Sequence, residues 1–123
     1  MAYRPAMTGA LPDGTLWRVA MPKNWNGTLI AEPDIFGEHF DRALERLMLE
    51  HGYALVGVSR DVTNWDWRKG LDNNLAVLDM FEKGNGQPER TLLWGSSMGG
   101  LMTRIMMERF HGRFDQCYRR SHQ

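Results

Sequence analysis

Short apolar segments alternate with amphipathic segments along most of the 123-residue chain. Three of them, residues 28–31, 53–58 and 90–94, carry almost no charge, as is typical of strands buried on both faces of a parallel sheet. An earlier segment, residues 15–21, alternates loosely between apolar and polar positions and ends at Pro22. Because proline cannot donate to a strand ladder, this segment is predicted to form an edge strand.

The segments between these strands have helical periodicity. Helices are predicted from residue 38 up to Gly52, over about residues 70–83 and over residues 98–110. Their apolar stripes are predicted to be Phe40, Ala43, Leu44, Leu47 and Met48 in the first helix, Leu71, Leu75, Leu78 and Phe81 in the second, and Met98, Leu101, Met102, Ile105 and Met106 in the third. The alternation of strands and helices predicts an α/β fold with right-handed crossovers onto a parallel sheet.

Length and charge exclude several classes of function. The chain is long enough for one domain, and its 15 basic and 15 acidic residues cancel, which gives no electrostatic argument for nucleic acid or a membrane surface as partner. No apolar run has the length of a transmembrane helix, and residues 1–12 lack the features of a signal peptide, so a cytoplasmic location is the default expectation. The single cysteine, Cys117, excludes an internal disulfide, and no His/Cys/Asp cluster has metal spacing, so no metal and no cofactor are expected.

The segment Gly95-Ser96-Ser97-Met98-Gly99 lies between the apolar strand predicted at residues 90–94 and the third predicted helix. Strand, G-x-S-x-G and helix are the context of a nucleophile elbow, in which a tight turn presents the central serine at the amino end of a helix. The glycines are expected to remove Cβ atoms that would collide with the neighbouring strand and helix. Ser97 is therefore the candidate nucleophile, and the backbone N–H of Met98 is the candidate oxyanion donor. An ordinary strand-to-helix turn is the alternative.

Five segments of the chain resemble the N-terminal half of an α/β-hydrolase. They are Trp25-Asn-Gly-Thr-Leu29, Gly52-Tyr-Ala-Leu55, Leu78-Asp-Met-Phe81, the elbow segment Arg90 to Gly100, and Glu108 to Asp115. The resemblance covers roughly residues 15–115, with the elbow as its most specific element. It implies a partial α/β-hydrolase-type, mostly parallel sheet with flanking helices, lacking the C-terminal strands. It also implies cleavage of a small-molecule ester, or less often an amide, through an acyl-serine.

The loop that follows the strand at residues 28–31 departs from the family pattern. Many α/β-hydrolases have a His-Gly pair here whose backbone helps form the oxyanion hole, whereas this chain has residues 32–37, Glu-Pro-Asp-Ile-Phe-Gly. Pro33 has no N–H, so Asp34 or Ile35 would have to supply the second donor. The alternative role of Asp34 is that of a helix-capping or loop residue.

The residues after the elbow helix are a larger departure. In this family an acid and a histidine follow the nucleophile, but the last segment, residues 116–123, is polar and basic where an apolar strand is expected. Residues 1–123 are thus interpreted as a single, incomplete hydrolase domain, weak or inactive alone, with an exposed sheet edge that could self-associate. Two alternatives stay open: a non-catalytic domain that binds a small ligand or a protein, and one half of a split hydrolase.

Asp115 and His122 have the right chemistry for a compressed dyad, but the elbow helix carries the chain nearly 20 Å away from Ser97, which argues against it. The other histidines, His39, His51 and His111, are expected to be solvated or to cap helices.

Two tryptophans follow the second apolar strand at its carboxyl end, where open α/β sheets gather their ligands. Trp65 and Trp67 are candidate substrate-binding residues that could line an aromatic or acyl pocket. The alternative, that they cover the rim of the sheet, is equally compatible with the sequence.

Overall fold

The computed structural model describes residues 5–35, 40, 42–96, 98–110 and 112–120, which form six strands and three helices. Three strands come first, and helices and strands alternate from there on. The strands are β1 (Met7–Ala10), β2 (Leu16–Ala20), β3 (Thr28–Ile35), β4 (Ala54–Ser59), β5 (Arg90–Ser96) and β6 (Gln116–Arg120). The helices are α1 (Arg42–Glu50), α2 (Trp67–Asn85) and α3 (Met98–Arg109).

All six strands belong to one sheet, in the order β1-β2-β4-β3-β5-β6. The first two pairs are antiparallel, whereas β3 runs parallel to both β4 and β5, and β5 runs parallel to β6. Ala31 at the centre of β3 lies opposite Val56 of β4 and Leu93 of β5. The predicted α/β architecture is confirmed, and the parallel pairing brings the carboxyl ends of β3, β4 and β5 to the same edge.

Helices cover the two faces of this sheet unequally. The larger hydrophobic core joins alternate strand residues such as Leu29 and Val56 to α2 and α3, and a smaller core joins Leu55 and Ile35 to α1. In the larger core, the Trp25 and Phe81 rings meet edge to face, 5.6 Å apart between centroids. This alternation follows from the two-residue period of a strand, which sends neighbouring side chains to opposite faces.

Helix α1 differs from its predicted form. Its described turns begin at Arg42, so Phe40 precedes the helix, and Leu47 is 50% exposed although it was expected in the apolar stripe. Glu45 is buried instead, because it forms an ion pair of 2.9 Å with Arg18 of β2. A similar error affects α3, whose Leu101 is 48% exposed while Met102 and Met106 pack into the core.

The ends of the sheet also differ from the prediction. The segment at residues 15–21 was predicted to form the edge, but β2 lies between β1 and β4. The tail, residues 116–123, is polar and basic where an apolar strand was expected, yet β6 extends the sheet beside β5, from Leu92↔Gln116 to Ser96↔Arg120. The two edge strands are therefore β1 and β6. Backbone groups make their pairings, and an edge strand tolerates polar residues, so neither strand needs an apolar pattern.

Within the described residues, no helix combines the length and the apolar character that crossing a lipid bilayer would require.

Candidate active site

The turn from β5 into α3 is formed by direct packing of backbone on backbone. A Cβ atom built on Gly95 would lie 2.9 Å from the backbone nitrogen of Gly100 and closer still to the Gly99 carbonyl group. Real Cβ atoms do not approach backbone this closely, so the position accepts only glycine. The predicted reason for this glycine is therefore confirmed. Ser97 lies outside the described residues, between the last residue of β5, Ser96, and the first of α3, Met98.

The second glycine of the segment faces the end of β3. A Cβ atom on Gly99 would lie 3.0 Å from the Cβ atom of Asp34, so a side chain there would force the two elements apart. The backbone N–H of Gly99 also donates a hydrogen bond to the Asp34 carboxylate. The first turn of α3 and the end of β3 are thus joined by packing and by a hydrogen bond.

Asp34 belongs to a strand and not to the predicted loop. Strand β3 continues through Pro33 to Ile35, with a β-bulge in the register between Glu32 and Ile35 against β4. A bulge leaves its extra residue unpaired, which is why the missing N–H of Pro33 does not end the strand. In the described ladders, Asp34 has no register partner in β4 or β5.

The Asp34 carboxylate is paired with a cation that sequence reasoning missed. Arg60, the first residue after β4, donates from Nε to Asp34 Oδ1 at 2.8 Å. Burial raises the pKa of Asp34, while the Arg60 charge and the Gly99 N–H act in the opposite direction. The only sequence signal for Arg60 was its position directly after an apolar strand. Because β3 and β4 are parallel, their carboxyl ends lie at the same edge of the sheet, which brings Arg60 to Asp34.

A small crevice opens beside this pair at the carboxyl edge of the sheet. Its walls come from the ends of β3 and β4, the loop before α2, and the first turns of α2 and α3. The lining residues are Pro33, Asp34, Ser59, Arg60, Thr63, Asn64, Asp66, Gly70, Asn74 and Met102. Most of these side chains are polar, and the space between them, about 10 Å³, is that of a single water molecule.

The two candidate tryptophans have different surroundings. Trp65 is 75% exposed, and the Arg60 guanidinium lies 5.1 Å from the centroid of its ring, which connects it to Asp34. Trp67 packs against the larger core, and the guanidinium groups of Arg68 and Arg109 lie 4.8 and 5.2 Å from the centroid of its ring. The contacts of Trp67 fit a side chain that covers the rim of the sheet, whereas Trp65 lies near the crevice through its contact with Arg60.

The described residues bring no histidine to the elbow. His51 follows α1, where its Nδ1 lies 2.8 Å from the Leu47 carbonyl oxygen, at the opposite edge of the sheet. This is the predicted helix-end role. His39, His111 and His122 lie outside the described residues.

Asp115 binds the amino end of β5 and not the elbow. Its carboxylate accepts a hydrogen bond of 2.7 Å from the Thr91 N–H, and its own N–H donates to the Thr91 carbonyl at 2.8 Å. Five residues of extended strand separate Thr91 from Ser96, a distance of about 16 Å. Asp115 is therefore too far from the elbow to orient a base there.

No group of three or more His, Cys, Asp or Glu side chains with the geometry of a metal site occurs in the described part of the chain.

Comparison with known proteins gives one related sequence and many related structures. No family model matches the chain. It is 34% identical over 112 residues to an o-phthalyl amidase from Xanthobacter agilis, a match that covers 87% of this chain and 25% of the amidase.

Several solved structures that resemble the chain are hydrolases. A thermostable carboxyl esterase from Bacillus coagulans matches 97% of the chain with a TM-score of 0.70 and 13% identity. A cold-adapted esterase from an Arctic intertidal metagenomic library matches 97% with a TM-score of 0.68 and 18% identity. The chain spans 44% and 59% of these two esterases. At such identities the likeness establishes the fold, and the expected partial α/β-hydrolase-type fold is confirmed.

Proposed function

We propose that this chain carries the nucleophile of a serine hydrolase that cleaves carboxylic esters or amides. The observation that carries the proposal is the contact of Gly95 with the backbone of Gly99 and Gly100. In a serine hydrolase, so tight a turn between a parallel strand and a helix presents its central residue at the carboxyl edge of the sheet, and we propose this position for Ser97. The sequence likeness to an amidase and the fold likeness to esterases support the same chemistry.

In the proposed reaction, Ser97 Oγ attacks the carbonyl carbon and loses its proton to a general base. The resulting oxyanion accepts hydrogen bonds from the Met98 N–H and from the backbone N–H of Asp34. Support for Asp34 comes from the bulge, because the register against β4 and β5 gives this residue no strand partner to take its N–H. The bond to the alcohol or amine then breaks, the leaving group takes the proton from the base, and water later hydrolyses the acyl-serine.

The proposed substrate is a small ester or amide that binds beside Trp65. This ring is exposed and stacks on Arg60 at the crevice, so it offers an apolar surface to an acyl or aryl group. The related amidase keeps amides in the substrate class, although the fold neighbours named above are esterases.

The general base and its acid come from outside the described residues in this proposal, because the only described histidine lies at the opposite edge. The 123-residue chain alone is therefore proposed to turn over slowly. The slow turnover that remains is expected to pass through an acyl-serine at Ser97 and therefore to depend on this residue.

Hydrolysis of p-nitrophenyl acetate by the purified chain tests the proposal. Ser97→Ala is expected to reduce the rate to that of buffer, whereas the neighbouring Ser96→Ala is expected to retain it. Equal rates in the chain and in Ser97→Ala would contradict a nucleophilic role for Ser97.

The second candidate is a non-catalytic domain or one half of a split hydrolase, and it is favoured by the position of His51. A split enzyme predicts a second polypeptide that restores fast turnover to the wild-type chain but not to Ser97→Ala. A binding domain predicts that ligand affinity survives Ser97→Ala with no turnover in either protein.

A further inference from the structure

The β-bulge in β3 changes the face to which Asp34 belongs. Before the bulge, Ala31 packs into the core under α2 and α3, and Ile30 packs on the α1 face. A regular strand would place residue 34 with Ile30 and residue 35 with Ala31. Instead Ile35 packs into the α1-side core with Phe40, and Asp34 faces the crevice beside Pro33.

Turned in this way, Asp34 connects three elements. Its carboxylate accepts hydrogen bonds from Arg60 Nε after β4 and from the Gly99 N–H in the first turn of α3, and its own backbone belongs to β3. The Asp34 side chain is 15% exposed, so these bonds form in a largely water-excluded environment.

The same carboxylate lies close to the proposed oxyanion. A negative charge there would oppose the charge that develops on the substrate oxygen. Arg60 compensates for it, because its guanidinium is permanently charged and is bonded directly to Asp34. The Asp34 carboxylate can therefore accept from the Gly99 N–H, while the Asp34–Arg60 pair as a whole adds no net charge to the site.

We propose that Asp34 is a positioning residue for the elbow and that Arg60 is its obligatory counterion. Asp34 holds the Gly99 N–H, and through it the first turn of α3, so that the adjacent Met98 N–H points at the reacting oxygen. Arg60 keeps this anchor electrically neutral. This inference rests on the proposed serine hydrolase function.

The test measures the rate at which a fluorophosphonate probe modifies Ser97, followed by mass spectrometry of the purified chain between pH 5 and pH 8. Arg60→Gln leaves an unpaired carboxylate and is expected to slow labelling about tenfold at pH 8, with recovery toward the wild-type rate as Asp34 is protonated. Asp34→Ala removes the acceptor and is expected to slow labelling at every pH.

The double variant Asp34→Asn/Arg60→Gln separates positioning from simple packing. It keeps an oxygen acceptor for Gly99 and has no net charge, so it is expected to label within about threefold of wild type. A merely structural ion pair predicts the opposite, namely that the double variant is as slow as Arg60→Gln. The other charged groups facing Asp34 are Asp61, in the loop before α2, and Asp66, at the start of α2. Both are unchanged in every variant, so each rate is expressed relative to wild type at the same pH.

The outcomes distinguish this inference from the proposed function. A Ser97 that reacts in no variant, wild type included, overturns the function and the positioning role with it. A reactive Ser97 whose rate does not depend on Asp34 or Arg60, or an Arg60→Gln defect that is constant from pH 5 to pH 8, overturns the positioning role alone.

Discussion

Two close approaches between single residues determine the shape of the elbow. Gly95 has the backbone of α3 where its side chain would be, and Gly99 has the Asp34 side chain there. The first contact is with backbone, which cannot rotate away, and the second is with a Cβ atom that can yield only slightly. The residue type at each position is therefore set by available space.

Gly95→Ala is expected to lower the free energy of unfolding by about 3 kcal/mol, because the added methyl group overpacks against backbone. The matched control is Gly84→Ala in α2, where a Cβ atom would meet nothing within 4 Å. That substitution is expected to stabilise the protein by about 0.5–1 kcal/mol through helix propensity. Urea unfolding followed by circular dichroism measures both, and equal effects of the two substitutions would contradict the backbone contact.

The raised pKa of Asp34 has a consequence for stability. The Asp34 carboxyl group binds its proton more tightly in the folded protein than in the unfolded chain. The contribution of Asp34 to the free energy of unfolding therefore falls as pH rises from the ordinary aspartate pKa through the raised pKa. The unfolding free energy of wild type minus that of Asp34→Asn is expected to decrease as pH rises above the ordinary aspartate pKa of 3.8. A difference that grows with pH would show that Arg60 outweighs burial and lowers the pKa.

At the scale of elements, α1 is attached to the sheet by a charged pair as well as by apolar packing. Arg18 and Glu45 join β2 to α1 with side chains that are 19% and 12% exposed, and the Arg18 guanidinium also lies 5.9 Å from the centre of the Phe40 ring. Removing one partner of such a pair strongly destabilises the protein, because the other charge stays buried without a counterion.

Glu45→Gln is expected to cost about 2 kcal/mol, less than a fully buried pair because some water reaches both groups. The exposed pair Arg104–Glu108, at 62% and 64% exposure, gives the control, and Glu108→Gln is expected to cost at most about 0.5 kcal/mol. Chemical denaturation measures both. Similar costs for the two substitutions would mean that the Arg18–Glu45 pair is not the anchor of α1.

The sequence predicts the central elements of the fold and misses those that depend on neighbours. Strands β3, β4 and β5 carry apolar runs that can be recognised locally, whereas β1 and β6 exist because an adjacent strand offers backbone groups to pair with. Residues 32–35 were interpreted as part of a loop, but they continue β3, with Pro33 in a bulge. The Asp34–Arg60 pair joins residues 26 positions apart, and nothing local indicates that they meet.

At the scale of the whole molecule, the two edges of the described sheet are β1 and β6. An unpaired edge can pair with a second copy, and charged residues along it oppose such pairing. The sequence of β6, Gln-Cys-Tyr-Arg-Arg, ends in two arginines, Arg119 and Arg120. Self-association through this edge is therefore proposed to be limited by repulsion.

Raising the NaCl concentration from 0.1 to 1 M shortens the Debye length from about 10 to 3 Å and is expected to increase the dimer fraction measured by sedimentation velocity. The double variant Arg119→Ser/Arg120→Ser is expected to dimerise already at 0.1 M and to respond weakly to salt. A variant that is as monomeric as wild type at low salt would rule out association through β6.

The central claim is that the residue between β5 and α3 is a nucleophile, and the most direct measurement is the position of a covalent adduct. The chain is treated with a fluorophosphonate probe, digested and mapped by tandem mass spectrometry, with a urea-denatured sample as reference. A nucleophilic Ser97 predicts one adduct per chain, on Ser97, formed at least tenfold faster in the folded protein than in the denatured one. Adducts spread over several serines, or labelling of Ser97 at equal rates in the folded and denatured chain, would contradict it.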